Sequence, residues 1–335
     1  MLRKVKKKEM EQEISLDPQL WHACAGSMLH IPTVNSKVFY FAQGHFEHAH
    51  APPDFHAPRV PPLILCRVVA VKFLADAETD ELYAKIRLLP LPENDLDLEN
   101  DTILDLTPPK STFFAKTLTS TDVSKGGGFF VLRNWAEMNF PPLDFTAEYP
   151  VQTLTAKDIR GETWNFRHIY RGTPRRHLLT TGWNTFVDQK KLIAGDSIVF
   201  LRSESGNLCV GVRRAKVSGD DTARRVTVEA VTEAVERAAC GLAFEVVYYP
   251  LANTPEFCVN AADVRAAMRI EWCSGMRFKM AFEAEDSSRM STGTVSAVQA
   301  VDPIRWPNSP WRLLEVSIFF LYKIFNPTFA NATKR

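Results

Sequence analysis

The chain has 335 residues, of which 45% are hydrophobic and 24% are charged. This composition is typical of folded proteins and excludes a disordered, collagenous or coiled-coil chain. The 40 basic and 39 acidic residues nearly cancel, which excludes a wholly basic protein of the histone type but not a locally basic surface. The length predicts about two domains, because a domain usually has about 100–200 residues.

No secretory or membrane signal is expected. The N-terminus, MLRKVKKKEMEQE, lacks an apolar stretch, and the longest apolar run, Val316–Phe325, is shorter than the roughly 20 residues that span a bilayer. The six cysteines include no Cys-x-x-Cys pair and are too sparse for a disulfide scaffold. We therefore expect a reducing compartment. A cluster of basic side chains near the N-terminus is either a nuclear import patch or part of a solvated tail; it consists of Arg3, Lys4, Lys6, Lys7 and Lys8.

The first elements predict a β-rich segment. Asp17, followed by proline, is typical of a helix N-cap. Residues 37–41 (KVFYF) predict a strand, and residues 67–74 and 82–89 alternate apolar with polar side chains, as in a hairpin. Residues 93–105 hold six acidic and no basic residues, which indicates a linker.

Residues 111–216 form a basic module. They contain 15 basic and 9 acidic residues, a net charge of +6, whereas the rest of the chain has 25 and 30, a net charge of −5. Strands are predicted at residues 163–171 and 197–202, with further strand edges at Val151 and at residues 192–196. Short strands separated by glycine and proline turns predict a small mixed barrel.

The third part mixes helices and strands. Small and apolar residues at helical spacing predict a helix over residues 226–241, with Gly241 as its C-cap. Residues 244–249 and 275–283 predict strands. Asn260 is expected to cap a further helix.

The sequence carries no recognisable catalytic or cofactor motif. A nucleophile elbow, a phosphate loop, a dinucleotide-binding glycine pattern and a His-Glu-x-x-His motif are all missing. Acidic pairs at a metal-binding spacing are missing as well, which disfavours a nuclease. His45, His48, His50 and His56 could bind a metal, but we expect them on a solvent-exposed loop. We therefore predict no enzyme, no cofactor and no metal.

Arginines are concentrated in residues 166–183, FRHIYRGTPRRHLLTTGW. Strand alternation places Arg167 and Arg171 on the face opposite the aromatic residues of the segment. Arginine reads guanine bidentately through O6 and N7, which contributes about 1–3 kcal/mol for a good pair. For Arg167 and Arg175, contact with phosphate and simple balancing of nearby acids remain equally open.

These motifs resemble a known family. KTLTSTDVSKGGGFFV, DIRGETWNFRHIYRGTPRRHLLTTGW and KKLIAGDSIVFLR are similar to the B3-type DNA-binding domain of plant auxin response factors. LDPQLWHACAG, VFYFAQGHFEH, YYPLANTPEFCV and GMRFKMAFE resemble the family's dimerisation domain, which the B3 domain splits. GTVSAVQ and DPIRWPNSPWRLLEV resemble the start of its Tudor-like ancillary domain, so the likeness covers roughly residues 16–316.

The resemblance implies a mixed, β-rich α+β fold, in which a B3-type pseudobarrel is inserted in a split β-rich dimerisation domain and is followed by a partial Tudor-like barrel. The expected segments are a basic tail (1–15), the first part of the dimerisation domain (16–110), the B3-type domain (111–216), the second part of the dimerisation domain (217–285), the partial ancillary domain (286–316) and a divergent tail (317–335).

The resemblance also implies DNA contacts. Arg171 and Arg176 would read base edges in the major groove of a TGTC-type auxin response element, and Pro174 would pack against a base. The other positions expected at this surface, mainly for phosphate contact, are Lys116, Thr121, Arg175 and Thr181. Gly126 stands where many members have a base-reading histidine, which the resemblance associates with the class-C, repressor-type branch.

Dimerisation is the second implied property. A helix rich in small residues around Ala234, Ala238 and Gly241, together with Gly275, is the candidate interface, and close packing within one subunit is the alternative. Two half-sites would then be read by a symmetric dimer.

The C-terminal sequence departs from the family. After LLEV the chain continues as SIFFLYKIFNPTFANATKR, so we expect a truncated ancillary domain and no C-terminal domain for binding Aux/IAA repressors. The sequence thus predicts a nuclear transcription factor that binds double-stranded DNA as a homodimer or a heterodimer with other auxin response factors, and that represses auxin-responsive genes. The alternative is a decoy or heterodimer partner without an effector function.

Overall fold

The computed structural model describes residues 15–26, 29–51, 60–76, 79–92, 112–203, 205–215, 226–250, 255–283 and 288–318. The basic tail, the acidic linker, His56 and most of the divergent C-terminal tail lie outside these residues. Three β-sheets and seven helices make up the described part. The mixed, β-rich α+β class expected from the sequence is confirmed.

The elements have the following bounds in chain order. The helices are α1 Pro18–Ala25, α2 Ala42–His48, α3 Ser120–Val123, α4 Arg133–Asn139, α5 Trp183–Gln189, α6 Val228–Ala239 and α7 Ala261–Met268. The strands are β1 Lys37–Tyr40, β2 Ile64–Ala75, β3 Leu82–Pro90, β4 Thr112–Thr117, β5 Phe129–Val131, β6 Val151–Lys157, β7 Thr163–Arg171, β8 Arg176–Leu179, β9 Ser197–Arg202, β10 Leu208–Arg213, β11 Phe244–Tyr248, β12 Cys258–Asn260, β13 Arg277–Glu283, β14 Ser288–Val298 and β15 Leu314–Ile318.

A five-stranded sheet with the order β11-β3-β2-β1-β12 forms the scaffold. Three of its strands precede residue 112 and two follow residue 215, so the chain leaves this sheet, builds the basic module and returns. Asp17 accepts a hydrogen bond from the N–H of Leu20 and caps α1, as predicted. Asn260 caps α7 in the same way.

A seven-stranded sheet with the order β4-β9-β10-β6-β7-β8-β5 forms the basic module. The pairing is antiparallel except between β10 and β6. Buried aromatic rings fill the module's core, among them Phe129, Phe166, Phe200 and Trp183. The strand edge predicted at residues 192–196 is wrong, because only a single bridge joins Ala194 and Asp196 there and the segment turns into β9.

The three-stranded sheet β13-β14-β15 lies at the C-terminal side of the described chain. The domain border expected at residue 285 falls inside its first hairpin, because β13 pairs with β14 along seven residue pairs. The loop before β15 docks on α2: Trp311 is buried, its ring lies 5.2 Å from that of Phe41, and its Nε1 donates to Glu47. A side chain at Gly44 would overlap the Trp311 ring.

The prediction of a solvent-exposed histidine loop is wrong for His45 and His48, because both lie on α2 and face the core. The Tyr40 hydroxyl lies 2.8 Å from His45 Nδ1, and the N–H of Tyr249 donates to His48 Nε2 at 3.1 Å. Burial lowers the pKa of His48 to about 4. Within the described residues, three or more His, Cys, Asp and Glu side chains nowhere come together to hold a metal ion. Nor does that part of the chain contain a helix long and apolar enough to cross a bilayer.

Candidate nucleic-acid interface

The arginine turn, residues 171–176, forms the exposed tip of the hairpin between β7 and β8. Arg171 and Arg176 are directly opposite each other in the ladder, so their Cα atoms are about 4.5–5.5 Å apart. Gly172 has a φ of +102° and the Thr173–Pro174 peptide bond is cis. Every residue of the turn is exposed, and the turn therefore presents three arginines and a proline ring on one projection.

Strand alternation on β7 follows the prediction from Trp164 to His168 and again at Arg171, whereas Ile169 on the arginine face is buried and Tyr170 is half-buried. Arg167 and Arg171 are exposed, whereas Trp164, Phe166 and His168 point into the core of the module. The alternative that Arg167 and Arg175 balance acids finds no support, because no carboxylate among the described residues pairs with them. The charge of these arginines is therefore available to an external anion.

The glycine loop, residues 120–128, lies at the other end of β8 from the arginine turn, because β5, which follows the loop, pairs Phe129 with Leu179 and Val131 with His177. Thr121 and Gly126 are exposed, and Gly126 has a φ of +82° with open space where a Cβ atom would lie. The positive φ therefore accounts for a glycine at this position. Thr181 is also exposed, and it lies just beyond the end of β8 that faces the glycine loop.

Lys116, a predicted phosphate contact, binds groups inside the protein. Its ammonium donates to the Asp122 carboxylate at 2.9 Å and to the Phe130 carbonyl at 2.8 Å, and it lies 4.5 Å from the centre of the Phe129 ring. Two of the three ammonium donors are therefore used inside the protein. In this arrangement Lys116 supports the glycine loop, and its expected phosphate contact stays a prediction.

Asp122 holds the other side of the same loop. It accepts hydrogen bonds from the backbone N–H and the hydroxyl of Thr119, which completes a capping box on α3. Burial opposes ionisation of the carboxyl group, but the hydrogen bonds from Thr119 and Lys116 outweigh it and lower the pKa of Asp122. The Trp183 indole donates to the Asp122 carbonyl at 2.7 Å and anchors the loop to the core.

Phe130 connects the two parts of the surface. Its carbonyl accepts the hydrogen bond from Lys116, and the Arg176 guanidinium lies 5.6 Å from the centre of its ring. This is a cation–π distance. The base of the glycine loop and the arginine turn therefore share one supporting residue.

A pair of buried histidines behind the arginine turn was not predicted. His168 Nε2 and His177 Nδ1 are 3.0 Å apart, and the Gln152 amide lies 3.1 Å from His168 Nδ1. Burial lowers the pKa of both histidines, that of His168 to about 4. The signal was present in the sequence, since His168 occupies an inward position in the alternation of β7.

Comparison with known proteins identifies the basic module and the C-terminal part of the described chain. Residues 114–216 match the family model of the B3 DNA binding domain, and residues 257–318 match that of the auxin response factor ancillary domain. Auxin response factor 10 of Arabidopsis thaliana is 68% identical over 362 aligned positions, which cover 92% of this chain and 52% of the relative. The chain belongs to the auxin response factor family. Auxin response factor 18 of rice, Oryza sativa subsp. japonica, is 54% identical, with coverage of 93% of this chain and 53% of the relative.

The auxin response factor chain therefore spans about half the length of these curated relatives. Among solved structures, the Arabidopsis FUS3–DNA complex is 26% identical, covers 31% of this chain and all of that chain, and has a TM-score of 0.28.

The candidate dimer interface of this auxin response factor is corrected at two positions. Ala234 and Ala238 lie in the core of their own subunit, because α6 packs against the scaffold sheet with that face. The alternative of close packing within one subunit therefore holds for both alanines. Gly241 and Gly275 are exposed, have φ values of +71° and +89°, and have open space where a Cβ atom would lie.

Proposed function

We propose that this chain is a nuclear, sequence-specific transcription factor that recognises TGTC-type auxin response elements as a dimer and represses auxin-responsive genes. The observation that carries the proposal is the arginine turn, with Arg171 and Arg176 side by side and unpaired by any carboxylate that the structure describes. The net charge of +6 on residues 111–216 adds a general attraction to DNA. Binding is non-catalytic.

The geometry of the arginine turn suits base reading. Guanidinium groups that start from adjacent strands, about 5 Å apart, can reach neighbouring base pairs, which are stacked about 3.4 Å apart. The packing of Arg176 on Phe130 orients its guanidinium before binding, which reduces the conformational entropy lost on contact. Arg175 in the turn, and Thr121 and Thr181 at the other end of β8, are exposed and suit phosphate contact, which positions the protein without reading sequence.

The test is a binding titration with Arg176→Ala on a matched element and on elements changed at one base pair. We expect about 5–150-fold weaker binding to the matched element, equivalent to about 1–3 kcal/mol, and lost discrimination at one position only. Arg202→Ala is the matched control, because it removes the same charge from an exposed position at the end of β9. An equal loss of affinity on every sequence would show that Arg176 contacts phosphate and does not read a base.

Gly241 and Gly275 are the remaining candidates for the dimer contact. Asparagine tolerates positive φ better than other side chains, so Gly241→Asn and Gly275→Asn preserve the turns and add bulk to the surface. We expect unchanged affinity for a single element and lost cooperativity on paired elements. Gly206→Asn is the control, because Gly206, between β9 and β10 of the B3 domain, has a similar φ of +82° and open space where a Cβ atom would lie. Full cooperativity in both variants would place the interface elsewhere.

Repression needs its own experiment. A reporter gene with paired response elements, expressed in plant cells with this chain, should fall below its level without the chain, and Arg171→Ala combined with Arg176→Ala should abolish the decrease. A rise in reporter activity would refute the repressor role and leave DNA recognition intact.

A further inference from the structure

The B3 domain is attached to the scaffold by a charged joint, which we define as Asp80, Asp158, Arg160 and Lys190. Asp80 belongs to the turn between β2 and β3 of the scaffold, whereas the other three residues belong to the B3 domain. Arg160 Nε donates to Asp80 Oδ1 at 2.6 Å, and Lys190 Nζ donates to Asp80 Oδ2 at 3.3 Å. One scaffold carboxylate therefore holds cations from two separate elements of the B3 domain.

Three of the four side chains of the joint are largely protected from water, whereas that of Arg160 is 35% exposed. The side chains of Lys190, Asp80 and Asp158 are 9%, 10% and 3% exposed. Lys190 also pairs with Asp158 at 2.7 Å, and the Trp164 indole donates to the same Asp158 carboxylate at 3.0 Å. Buried pairs are screened far less by salt than surface pairs, and removing one partner leaves an uncompensated charge. The joint therefore resists small displacements between the β2–β3 turn of the scaffold and the β6–β7 turn of the B3 domain.

A second attachment prevents rotation about the joint. Arg213 on β10 donates through Nε and Nη2 to the carbonyl of Ala23 on α1, at 3.0 and 2.6 Å. Helix α1 packs against β10 at Gly211, where a side chain would overlap the Cys24 sulfur. Two separate attachments fix the direction of the B3 domain relative to the scaffold.

Strand β7 connects the joint to the arginine turn. It begins directly after the turn that contains Asp158 and Arg160, and it ends at Arg171 in the arginine turn. Its nine residues span about 26 Å at about 3.3 Å per residue. A rotation of about 10° at the joint would therefore move the arginine turn by about 4.5 Å, which exceeds the rise of about 3.4 Å per base pair.

We propose that Asp80 is a positioning residue that sets which spacing between two DNA half-sites the dimer can read. Asp80 lies far from the arginine turn along the chain and acts through the direction of β7. The inference rests on the proposed function, because spacing is defined only for a dimer that reads paired elements.

The experiment compares the full chain with Asp80→Asn on paired elements whose spacer changes one base pair at a time, and on a single element. The full chain should show a sharp optimum of spacing. In Asp80→Asn we expect single-element affinity within twofold of the parent, at least a fivefold loss of affinity at the best spacing, and an optimum that is broader by one base pair or more. Asp80→Glu should restore the sharp optimum.

Glu162→Gln is the matched control, since its carboxylate lies 3.8 Å from Lys190 but is 61% exposed. It makes the same charge change at the rim of the joint and should leave the spacing profile unchanged. Thermal unfolding of each variant confirms that the fold is intact. An unchanged, sharp profile in Asp80→Asn would overturn the proposal.

A distance measurement separates failure of the joint from failure of the dimer. Spin labels on the exposed Cys240 and on Arg175→Cys, in a Cys273→Ser background diluted with unlabelled protein, report the scaffold-to-turn distance within one subunit. We expect a narrow distribution in the parent and a broader one with Asp80→Asn. Equally narrow distributions would refute the joint, whereas a missing spacing optimum in the parent together with the expected broadening would refute only the dimer.

Discussion

Replacing Asp122 by asparagine tests whether a single carboxylate holds the glycine loop. The carboxylate accepts from the Lys116 ammonium at 2.9 Å and from the backbone N–H and hydroxyl of Thr119 at 2.9 and 2.7 Å. An asparagine has one acceptor oxygen in place of two and carries no charge. Its amide group would therefore face a donor, and Lys116 would lose its counter-ion.

The structure gives the size of the effect. Loss of a capping interaction costs about 1 kcal/mol, and loss of a hydrogen bond to a charged group costs about 1.5–3 kcal/mol. The Lys116 side chain is only 16% exposed, so water replaces the carboxylate poorly. We expect Asp122→Asn to lower the free energy of unfolding by about 2–4 kcal/mol, a large fraction of the 5–15 kcal/mol of a typical domain.

Urea unfolding at pH 7 measures this loss, and a titration on a single response element measures DNA affinity under conditions where the variant is folded. We expect weaker binding as well, because Thr121 and Gly126 lie on the loop that Asp122 holds. Asp188→Asn is the control: Asp188 is exposed on α5, and its replacement should change stability by less than about 0.5 kcal/mol.

The stability difference between the parent and Asp122→Asn should depend on pH, and this dependence tests the role of the carboxylate. Because the pKa of Asp122 is lowered in the folded protein, its contribution is fully present above the unfolded pKa of about 3.9 and is lost as the pH falls through the folded value. The difference between parent and variant should therefore shrink below about pH 4. A difference of the same size at pH 7 and pH 3, or one below about 0.5 kcal/mol at pH 7, would refute the role of the carboxylate.

Three further predictions concern the core and the docking of the ancillary domain. Burial lowers the pKa of His168 to about 4, so as the pH falls from about 6.5 to 4 the unfolded chain binds a proton before the folded chain does, and the free energy of unfolding decreases. His168→Gln should remove about 3 kcal/mol of this decrease, measured by urea unfolding at a series of pH values. An unchanged dependence of the free energy of unfolding on pH would contradict the prediction. Trp311→Ala should cost about 3–5 kcal/mol in the same assay, because the ring is buried against α2, and a loss below about 1 kcal/mol would argue against this docking. Gly182→Ala should destabilise far more than Gly161→Ala, since both have positive φ but only a side chain at Gly182 overlaps the Asn165 carbonyl; equal losses in thermal unfolding would exclude the overlap as the cause.

Local patterns predicted the elements that local forces decide. The bounds predicted for β7 and β9, residues 163–171 and 197–202, agree with the structure, because alternating or continuous apolar runs between glycine turns define short strands. The caps at Asp17 and Asn260 were predictable because the capping side chain lies within three residues of the N–H groups that it serves. The exposed arginine turn followed from the same alternation.

Contacts between distant residues could not be predicted in this way. Asp80 and Lys190 are 110 positions apart in sequence, and no local pattern distinguishes them from solvated surface charges. Small residues on a helix are equally typical of a core and of an interface, which is why the interface prediction failed at Ala234 and Ala238. His48 shows the same limit, since only the fold brings the N–H of Tyr249 to its ring.

The distribution of ion pairs explains how a chain of nearly zero net charge can present a cationic surface. Within the B3 domain, the cations near the scaffold or under the loops are paired: Lys190 with Asp80 and Asp158, and Lys116 with Asp122. The arginines at the far end of β7 have no carboxylate partner among the described residues. Asp80 of the scaffold and two acids of the B3 domain itself therefore neutralise these cations, whereas the positive charge of the arginine turn, which we propose meets DNA, stays uncompensated by the described carboxylates.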